Sequence, residues 1–170
     1  MIREKSIVKI KKGLYIFGPA FQRRAVSNEL LANLIYSPSY ISLEYALSRY
    51  GLIPERTYTI TSICLNRSKT FKTEVATFAY RSCPVSVYPL GIQQIDLPEE
   101  GSYLIATPEK ALVDLISQVK GLNCTADMKE YLYENMRMEQ SDLRKLNKKL
   151  LLEICNCCNM SNILIQAIYD

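Results

Sequence analysis

The chain has 170 residues, 48% of them hydrophobic and 22% charged, a composition that supports a buried core of ordinary globular size. No apolar run approaches the ~20 residues that span a bilayer, and the N-terminus lacks the basic-then-apolar layout of a signal peptide, so the expected setting is the cytoplasm, without membrane contact. The net charge of +4 is unevenly spread: Arg3, Lys5, Lys9, Lys11, Lys12, Arg23 and Arg24 stand against Glu4 alone in residues 1–24, and the remainder carries a small negative excess.

In chain order, the apolar segments 7–10 and 14–17 flank Lys11, Lys12 and Gly13, which predicts a β-hairpin with glycine at its tip. A wing-like hairpin of that charge suits phosphate contacts, although lysines on an edge strand also keep other chains from pairing. Residues 19–24 read as a basic connector. Ser27 is the N-cap of a helix to residue 36, with Leu30, Leu31, Leu34 and Ile35 as its buried stripe. Ser37-Pro38-Ser39 breaks that helix. Tyr40 and Ile41 are extended, and Ser42 caps a second helix that Gly51 and Pro54 stop. Leu43, Ala46, Leu47 and Tyr50 fall on one apolar face of it.

Residues 57–64, 70–75 and 77–82 alternate and are β-branched, which predicts an antiparallel meander. Strands at 91–97 and 103–106 follow, joined by a turn at 98–101. Thr107, Pro108 and Glu109 then match the cap, N1 and acidic preferences of a helix start, and Ala111, Leu112, Leu115, Ile116 and Val119 give the core-facing stripe before Gly121. The last third is helical by pattern, over 126–137, 141–155 and 161–169, with Arg144, Lys145, Lys148 and Lys149 on a solvated face. The fold class expected is α+β: a wing-like N-terminal hairpin, a mixed, mainly antiparallel sheet with packed helices, and a helical C-terminal third.

Four of these segments, IKKGLYIFG at 10–18, SNELLANLIY at 27–36, YISLEYALSRYGLIP at 40–54 and IATPEKALVDLI at 105–116, together resemble the AbiEi family of type IV (abortive-infection) antitoxins, also described as transcriptional regulators of viral defence systems. Their order and spacing agree with that family over roughly the first two thirds of the chain, and four ordered motifs are more specific than any one. In the family a complete winged helix-turn-helix binds the operator, and a C-terminal α/β domain counteracts a nucleotidyltransferase-like toxin. This chain opens almost at the wing hairpin, so the resemblance implies a remnant wing at 1–24, an AbiEi-like core at 25–120 and a helical region at 121–170. The function implied is that of a non-catalytic antitoxin, opposing its toxin without need of a stable complex. The alternative is a DNA-binding regulator that uses Lys5, Lys9, Lys11, Lys12, Arg23 and Arg24. With no recognition helix ahead of residue 7, such binding is expected to be salt-sensitive and sequence-tolerant.

Catalytic chemistry is not expected. The chain has no histidine, the commonest general base and metal ligand, and neither GxxxxGK[ST] nor GxGxxG occurs. Cys155-Asn156-Cys157-Cys158 holds one CxxC pair without a second, and Cys64, Cys83 and Cys124 are scattered, so reduced thiols and no metal or cofactor are expected. Asp96 with Asp127-Met128-Lys129 is nuclease-like in composition, but residues 127–129 read as a helix start. Glu109 reads as a helix N-terminal acid, and Lys110 with Asp114 as an i, i+4 pair on an exposed face.

Overall fold

Strict alternation shapes the first element. In the computed structural model, which describes residues 6–158, 160 and 162–170, β1 (Ile7–Lys11) and β2 (Leu14–Phe17) form an antiparallel hairpin pairing Ile7 with Phe17 and Lys9 with Tyr15. Gly13 turns it with φ 82°, a left-handed conformation open to glycine without steric cost. Val8 and Ile10 are buried, whereas Ile7, Lys9, Tyr15 and Phe17 are exposed.

A single 3₁₀ turn at Pro19–Phe21 leads to α1 (Asn28–Ile35), which starts where Ser27 Oγ accepts a hydrogen bond from the Leu30 N–H at 3.2 Å. Its buried residues are Leu31, Ala32 and Ile35; Leu34, expected inside, is half exposed. The rotation has a polar cause. Asn33 docks on the backbone of Leu104, its Oδ1 accepting from the N–H at 2.5 Å and its Nδ2 donating to the carbonyl, which turns Leu34 away from the sheet.

The main sheet has six strands: β3 (Ser39–Ile41), β4 (Thr59–Cys64), β5 (Lys69–Lys72), β6 (Thr77–Ser82), β7 (Ile92–Leu97) and β8 (Gly101–Ala106). They lie in the order β5-β6-β4-β3-β8-β7, with β3/β8 and β4/β6 parallel and the other pairs antiparallel. The sheet is therefore mixed, as expected, but residues 57–82 do not form a simple meander. β6 lies between β4 and β5. Four of the six residues of β4 are buried, so it takes an interior place, while the short, Lys-bounded and largely exposed β5 falls to the edge where lysines discourage further pairing.

Helix α1 covers one face of the sheet, where the Tyr80 hydroxyl donates to the Ala32 carbonyl at 2.6 Å. Helices α2 (Leu43–Arg49) and α3 (Pro108–Ser117) cover the other, where Thr61 Oγ1 accepts from the Tyr45 N–H and donates to the Ser42 carbonyl. Thr107 caps α3 through the Lys110 N–H as expected, although the helix ends at Ser117, short of Gly121. Ser42 does not cap α2. Its hydroxyl is drawn to Asp114 instead, and Leu43 makes the strand-to-helix turn at φ 60°, a conformation costing a non-glycine residue roughly 1–3 kcal/mol.

The C-terminal third is helical in shorter pieces than its periodicity predicts. The 126–137 segment is α4 (Thr125–Lys129) running into a π-helical turn at Glu130–Asn135. The 141–155 segment splits into α5 (Gln140–Leu143) and α6 (Lys148–Cys157) because Asn147 leaves the helix to cap α6 and gives its own N–H to the Glu109 carboxylate. Helix α7 is Ile163–Tyr169; Ser161, expected to begin it, lies outside the described residues. One contiguous apolar core runs from Val8 in the hairpin to Ile168 in α7.

Candidate functional site

The charged residues of the fourth motif sit in the centre of the molecule. Glu109, Lys110 and Asp114 are all buried, Lys110 completely, which corrects the expectation of an exposed i, i+4 pair. The apolar stripe alone does not reveal this. Helix α3 packs on the sheet with one side, on α2 with another and on α6 with a third, so every residue from Glu109 to Ile116 is covered.

Around that helix the polar groups satisfy one another. Lys110 Nζ lies 3.0 Å from Asp114 Oδ1 and donates to the Val87 carbonyl at 3.0 Å, with the Tyr40 ring 5.8 Å away. Asp114 Oδ2 accepts from the Tyr40 hydroxyl at 3.0 Å and from Ser42 Oγ at 2.7 Å. Burial pushes the Asp114 carboxyl above the usual carboxylate range, against the opposing pull of the Lys110 charge and the hydrogen bonds. Burial, together with the nearby Asp114 charge, also drives the Tyr40 hydroxyl far above its ordinary value. Glu109 accepts from the Asn147 N–H at 2.7 Å. An ion pair this deep adds little net stability, but removing either partner strands a charge in the core. Its clearest effect is to register β3, α2, α3 and the segment before β7 against one another.

Gly91 makes this packing feasible. Its φ is 68°, and a Cβ there would lie 2.8 Å from Lys110 Cβ and 3.0 Å from Ile154 Cδ1. On the outer side of Asp114 is a cavity of about 230 Å³ whose lining includes Cys83, Ser117 and Cys158. Burial, reinforced by the Asp114 charge, pushes the Cys83 thiol up to about 11, which leaves it a protonated, weakly nucleophilic group at neutral pH.

The six basic residues singled out in the sequence divide by role. Lys9, Lys12 and Arg23 are exposed and make no hydrogen bond or ion pair among the described residues. Lys11 Nζ donates to the Ile35 carbonyl at 2.5 Å, satisfying the C-terminal end of α1. Arg24 pairs with Glu99 at 2.8 Å and reaches the Pro98 carbonyl. Lys5 lies outside the described residues. The nuclease-like set does not assemble: Asp96 is exposed on the edge strand β7 and accepts from Gln94, while Asp127 closes a capping box with Cys124 at the start of α4. Among the described residues no three Cys, Asp or Glu side chains gather as metal ligands.

A second feature escaped the sequence reading. A cavity of about 570 Å³ opens over β4 and β6 beside α2 and α3, and its lining includes Glu44, Tyr58, Thr59, Arg81, Gln118 and Tyr131. The alternating Thr57, Thr59 and Thr61 carried a strand signal, but only the parallel β4/β6 pairing aligns that row with Ala79 and Arg81. In comparisons with known proteins, no family model matches the chain and no curated protein matches it either.

Proposed function

We propose that this chain is a non-catalytic, antitoxin-like protein of the AbiEi type, which opposes a nucleotidyltransferase-like toxin. The observation that carries the reading is the meeting of its second, third and fourth motifs in one unit. Ile41 pairs with Ile105 across parallel β3 and β8, Tyr40 and Ser42 donate to Asp114, and the Tyr45 hydroxyl donates to the Glu29 carboxylate. Segments widely separated in sequence thus form a single structural module, which supports reading them as one signature. The motif charges that could have served catalysis, Glu109, Lys110 and Asp114, are occupied in internal bonds.

Growth rescue tests the proposal. The chain is co-expressed with a nucleotidyltransferase-like toxin encoded beside it, and survival is compared with toxin alone. Rescue by the wild-type chain, retained in variants of exposed residues and lost when the Lys110–Asp114 node is broken, is the expected result. Absence of rescue by soluble, folded protein overturns it.

A second reading rests on a different observation, the exposure of Lys9 opposite the exposed Tyr15 in the hairpin, with Lys12, Phe17 and Arg23 exposed as well. Cations next to aromatic rings suit a phosphate backbone, and this reading gives the hairpin salt-sensitive, sequence-tolerant DNA binding.

A further inference from the structure

The cavity over β4 and β6 has the size and the division of labour of a small-ligand site. At about 570 Å³ it falls in the range of pockets that hold cofactor-sized molecules. Its apolar surface comes from Leu43, Ala79, Leu115 and Val119. Its polar groups are a row of threonine hydroxyls, one arginine, one carboxylate, one amide and two tyrosines.

Three observations mark it as more than an incompletely covered sheet. Arg81 and Glu44 both line the cavity, yet neither makes an ion pair or hydrogen bond among the described residues, so opposite charges are presented to one space without neutralising each other. Tyr58 is 87% exposed at the cavity, an aromatic ring with no apparent packing duty, and Tyr131 stands near Glu44, whose charge adds to burial in raising its hydroxyl pKa. Leu43, which forms part of the wall, has φ 60° between Ser42, whose hydroxyl bonds Asp114 and whose carbonyl accepts from Thr61 of β4, and Tyr45, whose N–H donates to the same Thr61 hydroxyl. Strain sustained by surrounding structure is characteristic of pre-organised sites.

We propose that this cavity binds a nucleoside 5′-phosphate, with Arg81 taking the phosphate, Glu44 accepting from ribose hydroxyls or a base amine, and Tyr58 stacking on the base. The chemistry fixes this class. A planar guanidinium is matched to phosphate oxygens, a carboxylate is an acceptor for paired hydroxyls, and aromatic rings bind any base through its π-face. A simple anion would leave Glu44 opposed by like charge, and a purely apolar ligand would leave Arg81 and Glu44 without partners. The same unit can arrive as a free nucleotide or as the terminal nucleotide of a strand. The inference does not depend on the antitoxin reading: Arg81, Tyr58 and the threonine row lie outside the four motifs, and Leu43, Glu44 and Leu115 enter it only through their place in the cavity wall.

The test is a titration of the full chain with the four nucleoside 5′-monophosphates, the matching unphosphorylated nucleosides and a short 5′-phosphorylated oligoribonucleotide, followed by tyrosine fluorescence and by NMR shifts. Saturable binding of at least one monophosphate, weakened about tenfold or more in Arg81→Ala but unchanged for its nucleoside, is the expected result. Glu44→Gln should weaken nucleoside and nucleotide alike, and Tyr58→Ala should abolish the fluorescence response. Binding of the oligonucleotide alone, with the same Arg81 and Glu44 dependence, upholds the site and assigns it to a strand end. No saturable binding of either form, or binding indifferent to both Arg81→Ala and Glu44→Gln, overturns the proposal. Arg81 is exposed and Glu44 partly so, which makes folded variants available, and unchanged thermal melting confirms that they are folded.

Discussion

Ser42 Oγ and Asp114 Oδ2, 72 residues apart in the chain, lie 2.7 Å apart in the core. Ser42 precedes a helix and would ordinarily cap it, but its hydroxyl crosses to α3 instead, and that bond ties the entry of α2 to the centre of the α3 helix. Ser42→Ala and Tyr40→Phe should each destabilise the protein by about 1–3 kcal/mol, since each removes one donor from a buried carboxylate. Ser42→Asp separates this role from capping. Aspartate is a good cap, so a capping role would make it benign, whereas a second carboxylate beside Asp114 should be worse than alanine in urea unfolding.

Lys110 and Asp114 should behave as a unit. Lys110→Met or Asp114→Leu alone should cost about 3–5 kcal/mol by leaving one charge unpaired in the core. The double variant should recover much of that loss, because two apolar side chains of similar size need no partner. A urea-denaturation double-mutant cycle checks it, and additive losses would contradict the pairing.

Gly91→Ala should destabilise by about 1–3 kcal/mol. Its Cβ would meet Lys110 Cβ at 2.8 Å, and the position holds φ 68°, so both overpacking and backbone strain act in one direction. Gly13→Ala, which meets nothing within 4 Å, should show only the backbone part of that cost. Comparing the two in thermal unfolding isolates the contact.

Stability should fall on the alkaline side. Burial pushes the Cys83 and Cys155 thiols up to about 11 from an ordinary value of 9.0. The folded state therefore binds these protons more tightly than the unfolded state. Their contribution is fully present below about pH 9 and is lost as pH rises from 9 through 11. Tyr40, Tyr45 and Tyr80, whose hydroxyls burial also drives upward, carry the same sign at still higher pH. Cys83→Ala with Cys155→Ala should flatten the fall in melting temperature between pH 9 and 11.

Lys9→Glu, Lys12→Glu and Arg23→Glu together should abolish any DNA binding by the hairpin while leaving thermal stability nearly unchanged, since all three residues are exposed. Lys11→Ala should do the reverse and lower stability by about 1 kcal/mol, because it releases the Ile35 carbonyl at the end of α1. Gel shifts and melting curves on the same variants separate the two effects.

What was legible in the chain was local. The hairpin around Gly13, the Ser27 and Thr107 caps and the strand at residues 77–82 follow from turn chemistry, hydroxyl acceptors and alternation, each of which acts within a few residues and leaves its mark there. The same local signals gave an α+β fold. Other features depended on partners far away. Leu34 turned outward because Asn33 found Leu104, and β5 moved to the edge because β4 needed burial on both faces.

The functional candidates divide along the same line. The basic composition of the hairpin and the residue types of the fourth motif are plain from the chain. Folding alone puts Lys11 and Arg24 into internal contacts, brings Lys110 and Asp114 together in the core, and places Glu44 and Arg81 in one cavity. Charge environment, burial and pairing are properties of three-dimensional neighbours. A helix with one apolar stripe can be covered on every side, and no periodicity along the chain records how many elements will surround it.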